Sequence, residues 1–294
     1  MNIRDRSKGL ENNKLSLTFY SKKDFVCPVC EYEHLHEDLR RGDGRLISAD
    51  LTDELHRIYD PSPKYGAVYP LIYPIYVCPS CYFAGFNQDF SNPLVPIDQL
   101  KNHRDARKKL LVNILPDVDF TDNRRLQEGL ASYVLAIACY DFYQDDAFPV
   151  FKQGLCALRA GWLCVYLHRQ MPDQQYLYLS KHFLRKATFL YDYSLELEIK
   201  KKQIIPATFF LGPDVDRNYG YDGVVYLHGM LEFRYGMREN SQKRLEKLSR
   251  IKMNIGKLFG FGGASREKPS AILDMARRLF DSVSNEVELL QVSQ

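Results

Sequence analysis

A chain of 294 residues with 45% apolar side chains is long enough to bury a sizeable core and to fold as one or two domains. Its formal charge of +3, from 40 basic and 37 acidic residues, is close to neutral for this size, so composition alone makes no case for nucleic acid or an acidic membrane as partner. The first 23 residues mix Arg4, Arg6, Lys8, Lys14, Lys22 and Lys23 with Asn and Ser and lack the apolar stretch of a secretory leader; with seven cysteines, an odd number, this predicts a protein of the reducing cytoplasm.

Residues 1–23 read as a polar tail, 24–115 as a metal-binding module with a long insert, and 116–294 as a helical domain. The module is organised by two turns of one design, Cys27-Pro28-Val29-Cys30 and Cys78-Pro79-Ser80-Cys81. Each places two thiolates on a tight turn, and together they supply the four sulfurs of a closed zinc site. The 47 residues between Cys30 and Cys78 are a long loop to close. Closing it costs roughly 3–4 kcal/mol, whereas structural zinc binding is worth about 10–16 kcal/mol, so the metal wins and residues 31–77 are expected to form a lobe clamped at its base. Two unrelated pairs, reduced or disulfide-bonded, are the alternative; a redox disulfide calls for one such motif rather than two. Iron also suits four thiolates.

Within the insert, Leu35 and Leu39 alternate with charged residues, and Arg40–Arg45 reads as a turn with two glycines. Ile47–Tyr59 carries Leu51, Leu55 and Ile58 at helical spacing and ends at Asp60-Pro61-Ser62-Pro63. Val68–Val77 predicts an extended segment that delivers the second turn. Residues 65–88 hold no charge, yet Pro70, Pro74, Pro79 and two metal-binding thiolates exclude a lipid-exposed helix. The aromatic run Tyr82-Phe83-Ala84-Gly85-Phe86 is expected to pack back over the metal.

Asp98–Leu111 predicts a basic amphipathic helix, and Pro116 with Asp117 and Asp119 marks a linker. Six helices are then predicted: Gly129–Phe142, Pro149–Arg169, Gln174–Lys200, Asp222–Arg238, Ser241–Phe259 and Ser270–Leu290. The third steps at helical spacing through Tyr176, Leu179, Phe183, Ala187, Leu190, Ser194 and Leu197. Ala276-x-x-x-Phe280 matches the second helix of a tetratricopeptide unit, and Gly229 in the fourth helix sits where the first has its small residue, but the spacing exceeds the roughly 34-residue repeat. The expected fold is therefore α+β, a small zinc-ribbon-like module followed by an all-α, tetratricopeptide-like array.

Together these features resemble a bacterial family known as domain of unknown function 2225. The shared residues are Cys27–Cys30, the aromatic Tyr73–Val77 before Cys78–Cys81, then Phe83-Ala84, and in the helical half Leu158–Leu163 and the run Leu227, Gly229, Leu231, Arg234, Gly236. The likeness spans roughly residues 24–285. Where the family pattern usually has glycine after each cysteine pair, in a left-handed conformation, this chain has Glu31 and Tyr82. The resemblance implies the fold and the metal, and no activity.

Other patterns lead to modest conclusions. A four-thiolate ion has no open position for water, which points to structure rather than hydrolysis. His34 and His36 could replace a thiolate, but with four sulfurs present they read as surface residues or as supports behind the ligands. Asp214, Asp216, Asn218, Gly220 and Asp222 alternate like a calcium loop, but Tyr219 and Val225 stand where glycine and glutamate are required; a polar loop with Asx turns and a helix cap at Asp222 is expected. Gly260-Phe261-Gly262-Gly263 lacks the strand and Lys-Ser/Thr of a phosphate cradle and reads as a break between helices. Cys139, Cys156, Cys164, Trp162 and Tyr166 are expected in the core.

The functional expectation is a cytoplasmic, non-catalytic adaptor that binds a protein partner through its helices, with Arg234, Arg238, Tyr82, Phe83 and Phe86 as contact residues. The alternative is a nucleic-acid-binding zinc-ribbon regulator using Arg40, Arg41, Arg45 and the basic stretches 101–109 and 238–257. An enzyme would need a pocket with converging carboxylates and histidines, most naturally between the zinc lobe and the helices.

Overall fold

In the computed structural model, which describes residues 16–22, 24–172, 175–205, 209–259 and 270–292, the two cysteine turns sit at the tips of two small β-hairpins. The bulk of the expected N-terminal tail and the Gly260–Gly263 break lie outside the described residues. Among the described residues, eight short strands form four antiparallel pairs. β2 (Phe25–Val26) pairs with β3 (Glu33–His34) around the first turn, and β7 (Ile75–Val77) with β8 (Ala84–Phe86) around the second. β1 (Thr18–Tyr20) pairs with β4 (Glu37–Leu39), and β5 (Ile47–Leu51) with β6 (Arg57–Asp60).

The last hairpin replaces the helical segment expected over Ile47–Tyr59. Ile47, Ala49 and Leu51 turn inward on alternate positions while Ser48 and Asp50 face water, a period of two. Leu55 lies in the connecting turn, fully buried with a left-handed φ of 58°. Thr52 closes that turn, accepting the His56 amide on its hydroxyl at 3.1 Å. Three apolar residues in so short a window do not separate helix from strand. The segment expected to be extended from Val68 instead makes a 3-10 turn at Pro70–Ile72 before β7, because Pro70 presets the φ of its first residue.

Nine helices follow among the described residues. α1 (Asn87–Ser91), α2 (Ile97–Asn102) and α3 (Arg104–Ile114) are short; the helix expected over Asp98–Leu111 is divided at His103, whose ψ of 14° interrupts it. The six long helices match expectation to within a few residues: α4 (Leu126–Tyr140), α5 (Pro149–Gln170), α6 (Tyr176–Ile199), α7 (Gly220–Tyr235), α8 (Ser241–Phe259) and α9 (Ser270–Val292). Each packs against the next, so the architecture is α+β, with small strand pairs preceding a layer of sequentially stacked helices.

Two glycines allow close approach. A Cβ on Gly229 of α7 would lie 2.6 Å from Ile255 Cδ1 of α8, and one on Gly129 of α4 would lie 2.6 Å from Ile72 Cγ2. The second contact seats α4 on the 3-10 turn beneath the second cysteine hairpin. Arg124, just ahead of α4, reinforces it by donating to the carbonyls of Ile72 at 3.0 Å and Ile75 at 2.7 Å. The apolar core runs without a break from Cys27, Cys78 and Cys81 through Phe83 and Phe90 to Tyr133, Leu158, Leu227 and Leu279. Cys139, Cys156 and Cys164 are fully buried in it.

Candidate metal centre

The two cysteine turns are near-copies. In the first, Glu31 N donates to Cys27 O at 2.8 Å and Cys27 N to Tyr32 O at 3.0 Å; in the second, Tyr82 N donates to Cys78 O at 2.9 Å and Cys78 N to Phe83 O at 2.9 Å. Pro28 and Pro79 preset the turn behind the first cysteine of each pair. For the chain to double back, the residue after the second cysteine must be left-handed, and Glu31 and Tyr82 adopt φ of 62° and 58°. These are the positions where the pattern of the resembled family usually has glycine.

The turns bring all four sulfurs to within 4.8 Å of one another, with Cys27 Sγ 3.6 Å from Cys81 Sγ and Cys30 Sγ 3.5 Å from Cys78 Sγ. A tetrahedron with metal–sulfur bonds of about 2.3 Å has edges of roughly 3.8 Å, so the donor set has the size of a four-thiolate site. None of the four is disulfide-bonded. It is the one group of this kind found among the described residues. Mutual hydrogen bonding divides the thiols: donation from Cys27 and Cys78 pulls Cys81 strongly down, while Cys78 and Cys81 push Cys27 strongly up. Four adjacent sulfurs cannot all ionise by themselves. A divalent cation removes that conflict and leaves a net charge of about −2 on the cluster.

Arg107 of α3 answers that charge. Only 2% exposed, it donates from Nε at 3.1 Å and Nη2 at 2.9 Å to the carbonyl of Cys81, and its buried Nη1 has no hydrogen-bond partner. A buried guanidinium with a spare donor beside a sulfur cluster fits an anionic metal–thiolate group. Sequence reasoning read this helix as basic and amphipathic and gave Arg107 no role of its own. The signal was its placement seven residues after Leu100 and four before Leu111, both buried, which puts a charge on the apolar side.

Beneath the second hairpin, Cys139 Sγ accepts the Ala84 amide at 3.4 Å, and Phe83 stacks on Phe90 at 5.1 Å. His34 and His36 are buried around the first turn, not on the surface. Burial holds both imidazoles below their ordinary range, and His36 stacks on Tyr76 at 3.5 Å. Cys30 alone of the four sulfur residues is half-buried; it borders an open groove of about 360 Å³ with Glu31, Lys101 and Arg104.

A family profile described as an uncharacterized protein conserved in bacteria, DUF2225, matches residues 20–283. The chain belongs to that family. It is 37% identical over 276 residues, 94% of this chain and 99% of the other, to a protein of Borreliella burgdorferi (strain ATCC 35210 / DSM 4680 / CIP 102532 / B31) described as an uncharacterized protein. No solved structure matches the DUF2225 chain. None of its described helices is long and apolar enough to cross a membrane.

The remaining expected residues fall in different settings in this DUF2225 chain. Phe83 is fully buried, which removes it from a contact surface; Tyr82 and Phe86 are half-buried. Arg234 reaches the β5–β6 turn, donating to Glu54 Oε1 at 2.9 Å and Asp53 Oδ2 at 2.7 Å. Arg238 is exposed and holds Phe233 O at 2.8 Å and Glu286 at 3.3 Å. Arg45 is buried, donating to Ser16 O and Gly42 O, and Arg40 donates to Thr18 O; Arg41 is exposed.

Sequence reasoning also missed the junction between the β5–β6 turn and the helices. Glu54 accepts Trp162 Nε1 at 2.7 Å and the Tyr235 hydroxyl, and Tyr226 donates to Asp53 O at 2.7 Å. Asp214 and Asp216 are engaged by groups of the β5–β6 hairpin. Asp214 accepts the Arg57 amide and meets His56, and Asp216 accepts Arg57 Nε at 2.9 Å. Asn218 makes the expected Asx turn to Gly220 N, but α7 begins at Gly220, so Asp222 lies within its first turn instead of capping it.

Proposed function

We propose that this chain is a zinc-stapled cytoplasmic adaptor whose tetratricopeptide-like helices bind a protein partner. The observation that carries the reading is the closed set of four sulfurs at the tips of two matched hairpins, held from behind by Arg107. Cys27, Cys30, Cys78 and Cys81 would hold the ion, which when bound crosslinks the hairpins and offers no open position for substrate. Supporting the binding role, α6 exposes Leu177, Tyr178, Phe189 and Tyr193 on its outer side, Phe189 at 65%. Arg238 and the half-buried Tyr82 and Phe86 remain the contact residues of this reading; Arg234 is bound within the chain. Affinity capture of the tagged chain from its native cells, repeated with Phe189→Ala and Tyr193→Ala, tests it. A reproducible protein partner lost in both variants is expected; no partner, with turnover of a small molecule by the purified chain, overturns it.

A second reading, a nucleic-acid-binding regulator, has one observation in its favour: Lys101 and Arg104 line the groove beside Cys30. It requires salt-dependent retardation of DNA or RNA, and no retardation at low salt removes it.

A further inference from the structure

Between the β5–β6 hairpin and the helical layer lies a small cavity of about 30 Å³, bordered by His56, Tyr59, Tyr69, Leu163, Tyr166 and Asp214. It has room for one or two water-sized groups. Three of these side chains form a continuous line of hydrogen bonds. His56 Nδ1 lies 2.5 Å from Asp214 Oδ2, and His56 Nε2 lies 2.8 Å from the Tyr166 hydroxyl. Asp214 is fully buried and is fixed by the amides of Arg57 at 2.9 Å and Val215 at 2.6 Å. Both Asp214 oxygens already accept backbone amides, which assigns Nδ1 of His56 as the donor to the carboxylate and leaves Nε2 to accept from the phenol. The imidazole cannot swing away, because it stacks on Trp162 at 4.3 Å and 13°.

A hydroxyl on a base, the base on a buried carboxylate and a space beside them are the parts of an activated nucleophile. We infer that Tyr166 is a nucleophile, with His56 as its general base and Asp214 as a positioning residue, in a site that takes a small, uncharged, activated acyl group. The charge of the ligand follows from the lining, which holds no lysine or arginine and is otherwise apolar through Val68, Pro70, Leu71 and Leu163. The cavity of about 30 Å³ limits the enclosed part to the two small substituents of an acetyl carbon, its methyl and its oxygen, with the leaving group outside. Tyr166 is half-buried, with Tyr69 at 5.0 Å and the Arg169 guanidinium at 5.7 Å from its ring. Burial pushes the phenol up to about 12. Like a triad serine, it attacks only as its proton departs to the neighbouring imidazole. This site lies outside the adaptor reading, which gives the cavity no role.

N-acetylimidazole is a suitable probe, being small, neutral and an acyl donor. The Tyr166 oxygen bonds to the acetyl carbon, the carbon–nitrogen bond to the leaving imidazole breaks, and the phenolic proton passes through His56 Nε2 to the departing nitrogen. The products are O-acetyl-Tyr166 and imidazole, with no change in oxidation state. The chain has 20 tyrosines, so the others serve as internal references; Tyr178, 60% exposed, is the most informative. Peptide mapping of the intact wild-type protein over time is expected to show Tyr166 acetylated at least about tenfold faster than Tyr178, and His56→Gln to slow Tyr166 by about a hundredfold while leaving Tyr178 unchanged. Acetylation of Tyr166 no faster than Tyr178 in the wild type overturns the proposal, and that comparison needs no variant to fold. An unchanged Tyr166 rate in folded His56→Gln overturns it equally.

Discussion

Glu31 and Tyr82 hold the same strained backbone in two turns that share only their cysteines and proline: each follows a cysteine pair, and each sends its amide to the first cysteine's carbonyl, at 2.8 and 2.9 Å. A left-handed residue with a Cβ costs about 1–2 kcal/mol, and glycine returns about 0.5–1 kcal/mol of that as unfolded-state freedom. Glu31 is exposed and packs little, so Glu31→Gly should stabilise the protein by about 0.5–1 kcal/mol. Tyr82 is half-buried, and Tyr82→Gly should gain nothing because the lost ring packing cancels the relief. Urea midpoints at constant slope measure both; a lower midpoint for Glu31→Gly counts against the strain.

Arg107→Met keeps the stem of the side chain and removes the charge and both hydrogen bonds to Cys81 O. Supports behind metal ligands typically set affinity by about 10–100-fold. On the proposed zinc site, competition with a chromophoric chelator should therefore show the ion held about that much more weakly in the variant than in the wild type, with the number of ions bound unchanged. Wild-type affinity in the variant would mean that Arg107 only packs.

Trp162 is the single tryptophan, and its indole N–H ends on Glu54, so its emission reports the seam between the β5–β6 turn and the helices. Glu54→Ala leaves the buried indole N–H and the half-buried Tyr235 hydroxyl without their acceptor and Arg234 with one fewer partner. Arg234 is 37% exposed and resolvates in part, so the cost is set mainly by the indole and comes to about 2–3 kcal/mol. Glu54→Gln keeps an acceptor oxygen and should cost less than half as much. Glu54→Ala should also red-shift the emission; an unshifted spectrum at wild-type stability argues that the turn is not seated through Glu54.

Gly129→Ala sets two effects against each other. Within a helix, alanine is favoured over glycine by about 1 kcal/mol. Here the new methyl would lie 2.6 Å from Ile72 Cγ2 and 3.0 Å from Ile72 Cα, part of the backbone. Overpacking of this kind costs about 1–3 kcal/mol, so net destabilisation is expected. A raised melting temperature would show that the 3-10 turn yields easily.

What could be read in advance divides along physical lines. The cysteine turns were legible because four sulfurs in two short motifs define a donor set regardless of what surrounds them. Among the six long helices, α6, α8 and α9 were legible because each repeats its apolar period over several turns, and α4, α5 and α7, buried on most sides, because their apolar runs are too long for a strand. The β5–β6 hairpin was not, since Leu51, Leu55 and Ile58 step by 4 and 3 residues as in a helix, and only the left-handed turn at Leu55 divides them between two strands. Nor was the line from Asp214 through His56 to Tyr166: its members come from a turn, a loop and a helix far apart in sequence, and only tertiary packing brings them together.

Stability should fall in mild acid, and His36 identifies part of the cause. Burial, reinforced by Arg124 and His34, holds its imidazole well below the ordinary 6.5. Above that value the ring is neutral in both folded and unfolded chains and contributes no pH dependence. Between 6.5 and the lower folded value, the unfolded chain binds a proton that the folded chain refuses, so unfolding is favoured by about 1.4 kcal/mol for each unit of acidification. Below the folded value both states are protonated and the dependence ends. His34 shifts the same way for the same reason. His36→Phe retains the stack on Tyr76 and removes the titration, while protonation of the cysteine sulfurs affects variant and wild type alike. The wild-type curve of stability against pH should therefore be steeper than the variant's by about half a proton at pH 6.5, approaching one proton about a unit lower; parallel curves would mean that His36 takes up its proton within the folded protein.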